Sequence, residues 1–422
     1  MRVLWITYCD FPEAVSLCYG KSINRLSGGW LQGAADGLLS NTAIELRIAS
    51  VSRLNTEFRV VKGTRITYYL IPFHKGIDSY HHCFDEYWRA IQTDFNPEVV
   101  HVHGVESSIG LSYLRALGPD RVVLSIQGLA GVIGRYYNEG LSDWEIIKNI
   151  SIGDILRRKT LFTRRSDFLR KGIIEEETLR EARHVIGRTQ WDKSHCQAVN
   201  PNLEYHFCNE TMREQFYSGS WDYNSCRRHS IFLSSMAAPF KGAHFVLKAL
   251  PFIMRKYPDV QVRIAGGGLV FPASAKDFLR QSGYELYLSG LIRRYSLKEN
   301  IKLLGPLSAE GMKKEYLDAN VFICPSTMEN SSNSIAEAQL LGVPVIASYV
   351  GGTPDLIPSS RCGQMFRSGE YEMLASFVID LFERSRDFDN TTERTVALDR
   401  HDPVKNAQAL YEIYTAIDKT NN

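Results

Sequence analysis

No window of this 422-residue chain approaches the roughly 20 consecutive apolar residues that a membrane-spanning helix requires. Any membrane role is therefore expected to be peripheral. The opening stretch, Met1-Arg2-Val3-Leu4-Trp5-Ile6-Thr7, is too short an apolar run for a secretory signal and reads as a first strand. The eight cysteines, Cys9, Cys18, Cys83, Cys196, Cys208, Cys226, Cys324 and Cys362, include no C-x-x-C pair and no metal-ligand rhythm. They read as reduced thiols of a cytoplasmic protein. Val260 to Gly268, VQVRIAGGG, is a buried strand with a glycine turn, but it lacks G-x-G-x-x-G spacing, which argues against nicotinamide or flavin chemistry. The net charge of +2 singles out no class of partner, and no nucleic-acid partner is expected.

The chain is long enough for two domains with full cores, and its apolar and charged fractions of 44% and 23% describe an ordinary globular protein. Its organising stretch is Val321 to Ile357, VFICPSTMENSSNSIAEAQLLGVPVIASYVGGTPDLI. Val321 to Cys324 is a continuous apolar run stopped by Pro325, the pattern of a strand buried on both faces. A polar loop follows, after which Asn333 or Ser334 caps a helix to about Leu341, with Gly342 ending it and Pro344 forbidding its continuation. Val345 to Ser348 is a second buried strand. Gly351-Gly352 then makes a tight crossing into a helix with Thr353 as N-cap and Pro354 at its first position.

Loops at the carboxyl ends of strands in a doubly wound parallel sheet converge on a ligand crevice. Glu329 stands in one such loop and Glu337 in the helix behind it. Were all eight steps between them helical, they would lie roughly 12 Å apart along the axis, too far for the paired carboxylates of a glycoside hydrolase at about 5 to 9.5 Å. The separation suits the two ends of one extended ligand, and the helix N-terminus between them is a ready site for a diphosphate. Taken singly, each glutamate is an ordinary solvated carboxylate. Together with Pro325-Ser326, Glu337-Ala338, the GVPVIAS strand and the glycine pair, they are not.

This segment resembles the donor-binding signature of retaining glycosyltransferase family 4, with Glu329 and Glu337 as the glutamates of its E-x7-E motif. The resemblance implies a GT-B fold, in which two Rossmann-like α/β domains face each other across a cleft that closes over both substrates. It implies that Glu329 faces the transferred sugar, that Glu337 binds ribose hydroxyls, and that backbone N–H groups near Asn333 and Ser334 hold the diphosphate, with Gly351 and Gly352 closing the pocket. It also places a diphosphate-binding lysine at Lys241, just ahead of a helix. The arginine that the family usually has five or six residues earlier is replaced here by Ser235 and Met236, which removes one charge-assisted contact of about 1.5 to 3 kcal/mol. Arg188 or Arg263 is a candidate to compensate. In the family a glycine pair after the first strand approaches the diphosphate, and Gly28-Gly29 occupies that place, although most such pairs are turns.

Elsewhere, PEVVHVHG at residues 97–104 is a strand whose polar end carries His101 and His103, and His103 is a cleft candidate that equally suits a structural histidine. Gln127 stands where many family members have a histidine. It can hydrogen-bond but not titrate, so its role would be positional. Arg188 ends another strand and suits either a donor phosphate or an ion pair. Residues 151–171 interleave cationic and apolar side chains at helical spacing, which fits a solvated surface helix or a face meeting anionic lipid or a diphosphate-linked acceptor. The D-x-D string at Asp387-Phe388-Asp389, a metal signature of another glycosyltransferase fold, has no strand before it and is read as chance. No metal or other cofactor is expected.

The expected organisation is an acceptor-side domain at 1–217, a nucleotide-sugar donor domain at 229–401, and a C-terminal helix at 402–422 crossing back onto the first domain. The expected reaction is retaining transfer of a hexose from a nucleotide-diphosphate sugar to a glycan or polyprenyl-diphosphate-linked acceptor, in the cytoplasm or at the inner face of the membrane. Family frequency favours a UDP-sugar and bacterial surface polysaccharide synthesis. A sugar-nucleotide 2-epimerase of the same fold and a non-catalytic glycosyltransferase-like subunit are the alternatives.

Overall fold

The computed structural model describes residues 1–20, 29–73, 82–268, 270–272 and 274–420. The chain divides into two units, the first comprising Met1–Gly131, Arg170–Arg213 and His401–Asn422 and the second Val132–Leu169 and Glu214–Arg400.

The first unit is built on eight strands: β1 (Arg2–Thr7), β2 (Glu45–Ser52), β3 (Arg59–Lys62), β4 (Thr67–Pro72), β5 (Val99–His103), β6 (Val122–Ser125), β7 (His184–Gly187) and β8 (Glu204–Phe207). They lie in the order β3-β4-β2-β1-β5-β6-β7-β8. All pairings are parallel except β3 with β4. The central strands are apolar runs buried end to end, as a sheet covered on both faces demands. Trp5, Leu38, Tyr68 and Tyr414 fill one face of this core. The C-terminal helix Pro403–Thr420 packs on the helix Gly29–Asn41, where Gly37 leaves room for Ala407.

A hydrogen-bonded chain fastens that C-terminal helix to the sheet. Trp5 Nε1 donates to the Tyr414 hydroxyl at 2.9 Å, that hydroxyl meets His101 Nδ1 at 2.5 Å, and His101 Nε2 meets Ser125 Oγ at 2.5 Å. His101 is thus a structural residue, and burial holds its imidazole at a pKa of about 3, neutral at physiological pH.

The second unit has six parallel strands, β9 (Ser230–Leu233), β10 (Gln261–Ala265), β11 (Ile301–Gly305), β12 (Val321–Cys324), β13 (Val345–Tyr349) and β14 (Gln364–Arg367), ordered β11-β10-β9-β12-β13-β14. The order reverses between β9 and β12, the topological switch point where open α/β sheets bind ligands.

The sequence reading needs correction in four places. Residues 132–169 belong to the second unit rather than to a continuous 1–217 domain: Tyr137, Ile146 and Leu161 are buried in its core, and the Glu139 carbonyl meets His244 Nε2 at 3.2 Å. The single amphipathic helix expected over 151–171 is two helices, Ile152–Arg157 and Leu161–Glu181, interrupted where Arg158 adopts φ +51°. Strands β3 and β8 were unforeseen, because both are short edge strands with little burial and hence little hydrophobic pattern. Helix starts shifted by one residue, with Ser332 as N-cap of Asn333–Leu340 and Gly352 as N-cap of Thr353–Leu356.

Candidate functional site

Two loops meet at the switch point of the second sheet. After β9, a turn at Pro239–Lys241 ends in Gly242, which leads directly into the helix Ala243–Met254. After β12, Pro325 to Ser332 lead into the helix Asn333–Leu340. The Thr327 N–H donates to the Phe240 carbonyl at 2.8 Å and stitches the loops together.

Two glycines let the backbones approach this closely. Gly242 has φ +70°, and a Cβ there would overlap the Pro325 carbonyl oxygen. Gly351 has φ +50°, and a Cβ there would overlap the Glu329 carbonyl oxygen. The Gly352 N–H donates to that same carbonyl at 3.1 Å. The glycine pair therefore holds the backbone of Glu329 from one side while the Gly242 turn presses the other end of the loop.

The side chains that result are closely matched. Lys241 Nζ lies 2.6 Å from Glu329 Oε1, and the Ser326 hydroxyl donates to the same oxygen at 2.7 Å. Their side chains retain 32% and 14% exposure, so the pair faces an opening rather than the core. Burial works against the lysine's charge, yet the Glu329 carboxylate outweighs it and raises the Lys241 pKa above its ordinary value. The ammonium is therefore fully charged at neutral pH.

Lys241, Glu329, Ser332 and Ser334 line a recess of about 20 Å³, completed by Ser234, Ser235 and the end of β12. That is room for about one water. The Ser332 side chain makes no cap bond, so the first-turn N–H groups of Asn333 and Ser334 are left without an intrahelical partner. Glu337 is buried on the same helix and lies outside the recess, where the Tyr316 hydroxyl donates to its Oε2 at 3.3 Å and to the Ser334 carbonyl at 3.1 Å. Ser326 and Tyr316 escaped sequence reasoning as partners of the two glutamates. The Pro325-Ser326 pair did carry a signal, whereas nothing in AEGMKKEYLD marks Tyr316.

Neither candidate arginine is free to replace the missing one. Arg263 makes two bonds of 2.7 Å to the Glu315 carboxylate. Arg188 has a side chain only 5% exposed, pairs with Glu210, and donates to the carbonyls of Ile126 at 3.0 Å and Gln127 at 3.3 Å. Its ion-pair reading is the one the geometry favours, because its charge is answered by Glu210 within the first unit.

Arg188, Gln127 and His103 do come together, around a first-unit cavity of about 50 Å³. His103 is buried against Trp5 and Trp30, and neither ring nitrogen has a hydrogen-bond partner among the described residues. Burial and then the neighbouring His101 hold its pKa well below the usual histidine value, so it is a neutral donor and acceptor. A separate first-unit pocket of about 390 Å³ is lined by Tyr8, Asp10, Ser52, Arg53, Glu106 and Lys171. Gly29 begins the helix Gly29–Asn41, and Gly28 lies outside the described residues.

Comparison with known proteins follows the same division. Residues 227–384 match the family model described as glycosyl transferases group 1. A GDP-mannose-dependent monoacylated alpha-(1-6)-phosphatidylinositol monomannoside mannosyltransferase from Corynebacterium glutamicum is 28% identical over 157 residues, which is 36% of this chain and 37% of that one. The match thus spans little more than a third of that relative. Among solved structures, sucrose-phosphate synthase from Thermosynechococcus elongatus superposes with a TM-score of 0.68 at 15% identity over the full length of both chains. Anabaena HepE in complex with UDP-glucose gives a TM-score of 0.63 at 14% identity, covering 99% of this chain and 100% of that one. The fold is therefore GT-B, and residues 227–384, which contain the E-x7-E segment, are similar to the glycosyl transferases group 1 family model.

Proposed function

We propose that this protein transfers a sugar from a nucleoside diphosphate donor to a hydroxyl-bearing acceptor, with retention at the anomeric carbon. One observation carries the reading: Lys241, Glu329 and the uncapped first turn of Asn333–Leu340 converge on one recess at the switch point of the second sheet. An ammonium and free N–H groups suit a diphosphate, and they offset its growing charge as it leaves. The Glu329 carboxylate, fixed by Ser326 and by the glycine pair, orients the sugar. Glu337 offers the ribose hydroxyls an acceptor, with Tyr316 fixing its carboxylate.

The mannosyltransferase relative is named for GDP-mannose, and the HepE structure holds UDP-glucose. These donors share a ribose and a diphosphate, the parts that the residues above would bind. The proposed donor is accordingly a nucleoside diphosphate hexose. Uridine rests on family frequency, and guanosine is supported by the relative.

The acceptor is assigned to the first unit, whose larger pocket offers Asp10 and Glu106 to hydroxyls and Arg53 and Lys171 to an anionic group. A lipid-linked acceptor is supported by the second unit's surface. Trp144, Ile147, Ile155 and Leu156 are exposed there, Leu156 by 79%, on short helices that also carry Lys148 and Arg157. An exposed apolar set with cationic neighbours suits the headgroup region of an anionic membrane. Among the described residues no helix is long and apolar enough to cross one.

The test is a panel of UDP- and GDP-sugars with calorimetric binding, free-nucleotide release and NMR of the product anomer, using wild type, Lys241→Ala and Glu329→Gln. Sugar transfer that depends on both residues supports the proposal. Isomerised donor without acceptor would make the protein an epimerase, and tight binding without turnover a non-catalytic subunit.

A further inference from the structure

We propose that His184, Glu204 and His206 form a divalent transition-metal site, of the zinc type, on the β7–β8 edge of the first unit. The strands fix the constellation. In the parallel β7–β8 ladder His184 stands opposite Glu204, and His206 is two residues further along β8. The period of two puts Glu204 and His206 on one face, and the register puts His184 beside them.

The side chains converge rather than merely sharing a face. His184 Nδ1 is 3.2 Å from His206 Nε2, 3.5 Å from Glu204 Oε2, and His206 Nε2 is 3.8 Å from Glu204 Oε1. A tetrahedral zinc with N and O ligands at about 2.0 to 2.2 Å has ligand-to-ligand edges of about 3.3 to 3.5 Å. The two edges from His184 Nδ1 bracket that value, whereas the 3.8 Å edge from His206 runs to the other Glu204 oxygen, so the carboxylate turns for one oxygen to face both imidazoles when an ion binds. Two histidines and one carboxylate leave a fourth position for water.

The protonation state suits this role. Burial, more than any neighbouring charge, lowers both histidine pKa values, so both imidazoles are neutral and ligand-competent at neutral pH. His184 is almost fully buried, His206 is half-buried and Glu204 is exposed, which gives one anchored ligand and an open approach for the ion.

The site lies at the starts of β7 and β8, whereas His103 and Gln127 stand at the carboxyl ends of the same sheet's strands. The metal would not meet the transferred sugar. It would tie the edge strand β8, which has few buried side chains, to β7. A metal here would depart from the expectation that this chain holds none.

Full-length protein without a histidine tag, stripped with chelator, is titrated with Co²⁺ and with Zn²⁺ against a chromophoric competitor. Wild type is expected to bind one equivalent, with visible d–d bands of low-symmetry Co²⁺ and no thiolate charge-transfer band, which separates this site from the cysteines. Zn²⁺ should raise the Tm by a few degrees. His206→Ala and Glu204→Ala, both on the edge strand, should fold and bind at least about tenfold more weakly. Equal binding by wild type and the His206→Ala, Glu204→Ala double variant, or a spectrum dominated by thiolate ligands, would overturn the site.

Discussion

Lys241 and Glu329, 88 residues apart in sequence, meet at 2.6 Å between the carboxyl ends of β9 and β12. The pair lines the recess at whose mouth the diphosphate is proposed to bind. In the proposed reaction, donor binding would trade one carboxylate partner of the lysine for phosphate oxygens and would leave Glu329 to turn toward the sugar.

That exchange predicts a split between variants. Lys241→Ala should weaken donor binding by the worth of a charge-assisted contact, about 1.5 to 3 kcal/mol, or roughly 10- to 150-fold in Kd. Glu329→Gln keeps the shape and removes the competing charge, so donor Kd should change little or tighten while kcat falls by about 100-fold or more. Calorimetry and initial rates on the same preparations separate the two, and a Glu329→Gln variant with wild-type kcat would remove the glutamate from the mechanism.

The lysine's raised pKa also has a sign. A base whose folded value lies above its unfolded value contributes stability that is complete below the ordinary lysine value of about 10.5 and is lost only as pH rises through the folded value. Donor affinity should accordingly be flat from about pH 7 to 9.5. A decline beginning near pH 8 would mean that another group binds the phosphate.

Gly242→Ala and Gly351→Ala test the loop geometry. Each places a Cβ against a carbonyl oxygen in left-handed backbone, a strain of about 1 to 3 kcal/mol if it is accommodated at all. Because each glycine abuts the 325–329 loop directly, the loss in kcat/KM should exceed what the small fall in Tm accounts for. Gly118→Ala, also at positive φ but with open space around it, serves as the control that lowers stability alone.

Tyr414→Phe cuts the Trp5–Tyr414–His101–Ser125 chain and leaves buried donors and acceptors unpaired. A loss of about 1 to 3 kcal/mol is expected in the first unit's unfolding free energy, with donor Kd unchanged. Urea unfolding followed by tryptophan fluorescence, alongside donor calorimetry, checks both halves.

Glu175 supplies a second pH dependence. Burial pushes its carboxyl up to about 8, although it accepts N–H bonds from Ala130 at 2.6 Å and Gly131 at 3.4 Å. It is protonated when folded and ionised when unfolded between about pH 4.5 and 8, so the first unit's stability should fall across that window, by about 2 to 5 kcal/mol in all. Glu175→Gln should flatten the slope of urea midpoint against pH.

The sequence alone determined the alternation of apolar runs, polar loops and helical stretches, and from it the two parallel sheets and the loops at their carboxyl ends. It also placed Glu329 in a loop and Glu337 and Lys241 at or near helix starts, because these are local patterns written in neighbouring residues, whereas their expected roles came from the family resemblance. What it could not decide depends on contacts between residues distant in the chain. Residues 132–169 read as part of the first domain, yet Tyr137 and Ile146 are buried with the second. Arg188 suited a donor phosphate or an ion pair alike, and only the tertiary structure sets Glu210 beside it and Glu315 beside Arg263. His184 and His206 are 22 residues apart with no spacing to announce them, and only the register of β7 with β8 brings them to 3.2 Å. Local chemistry is read along the chain, whereas the partner of a charge is set by which strands lie side by side.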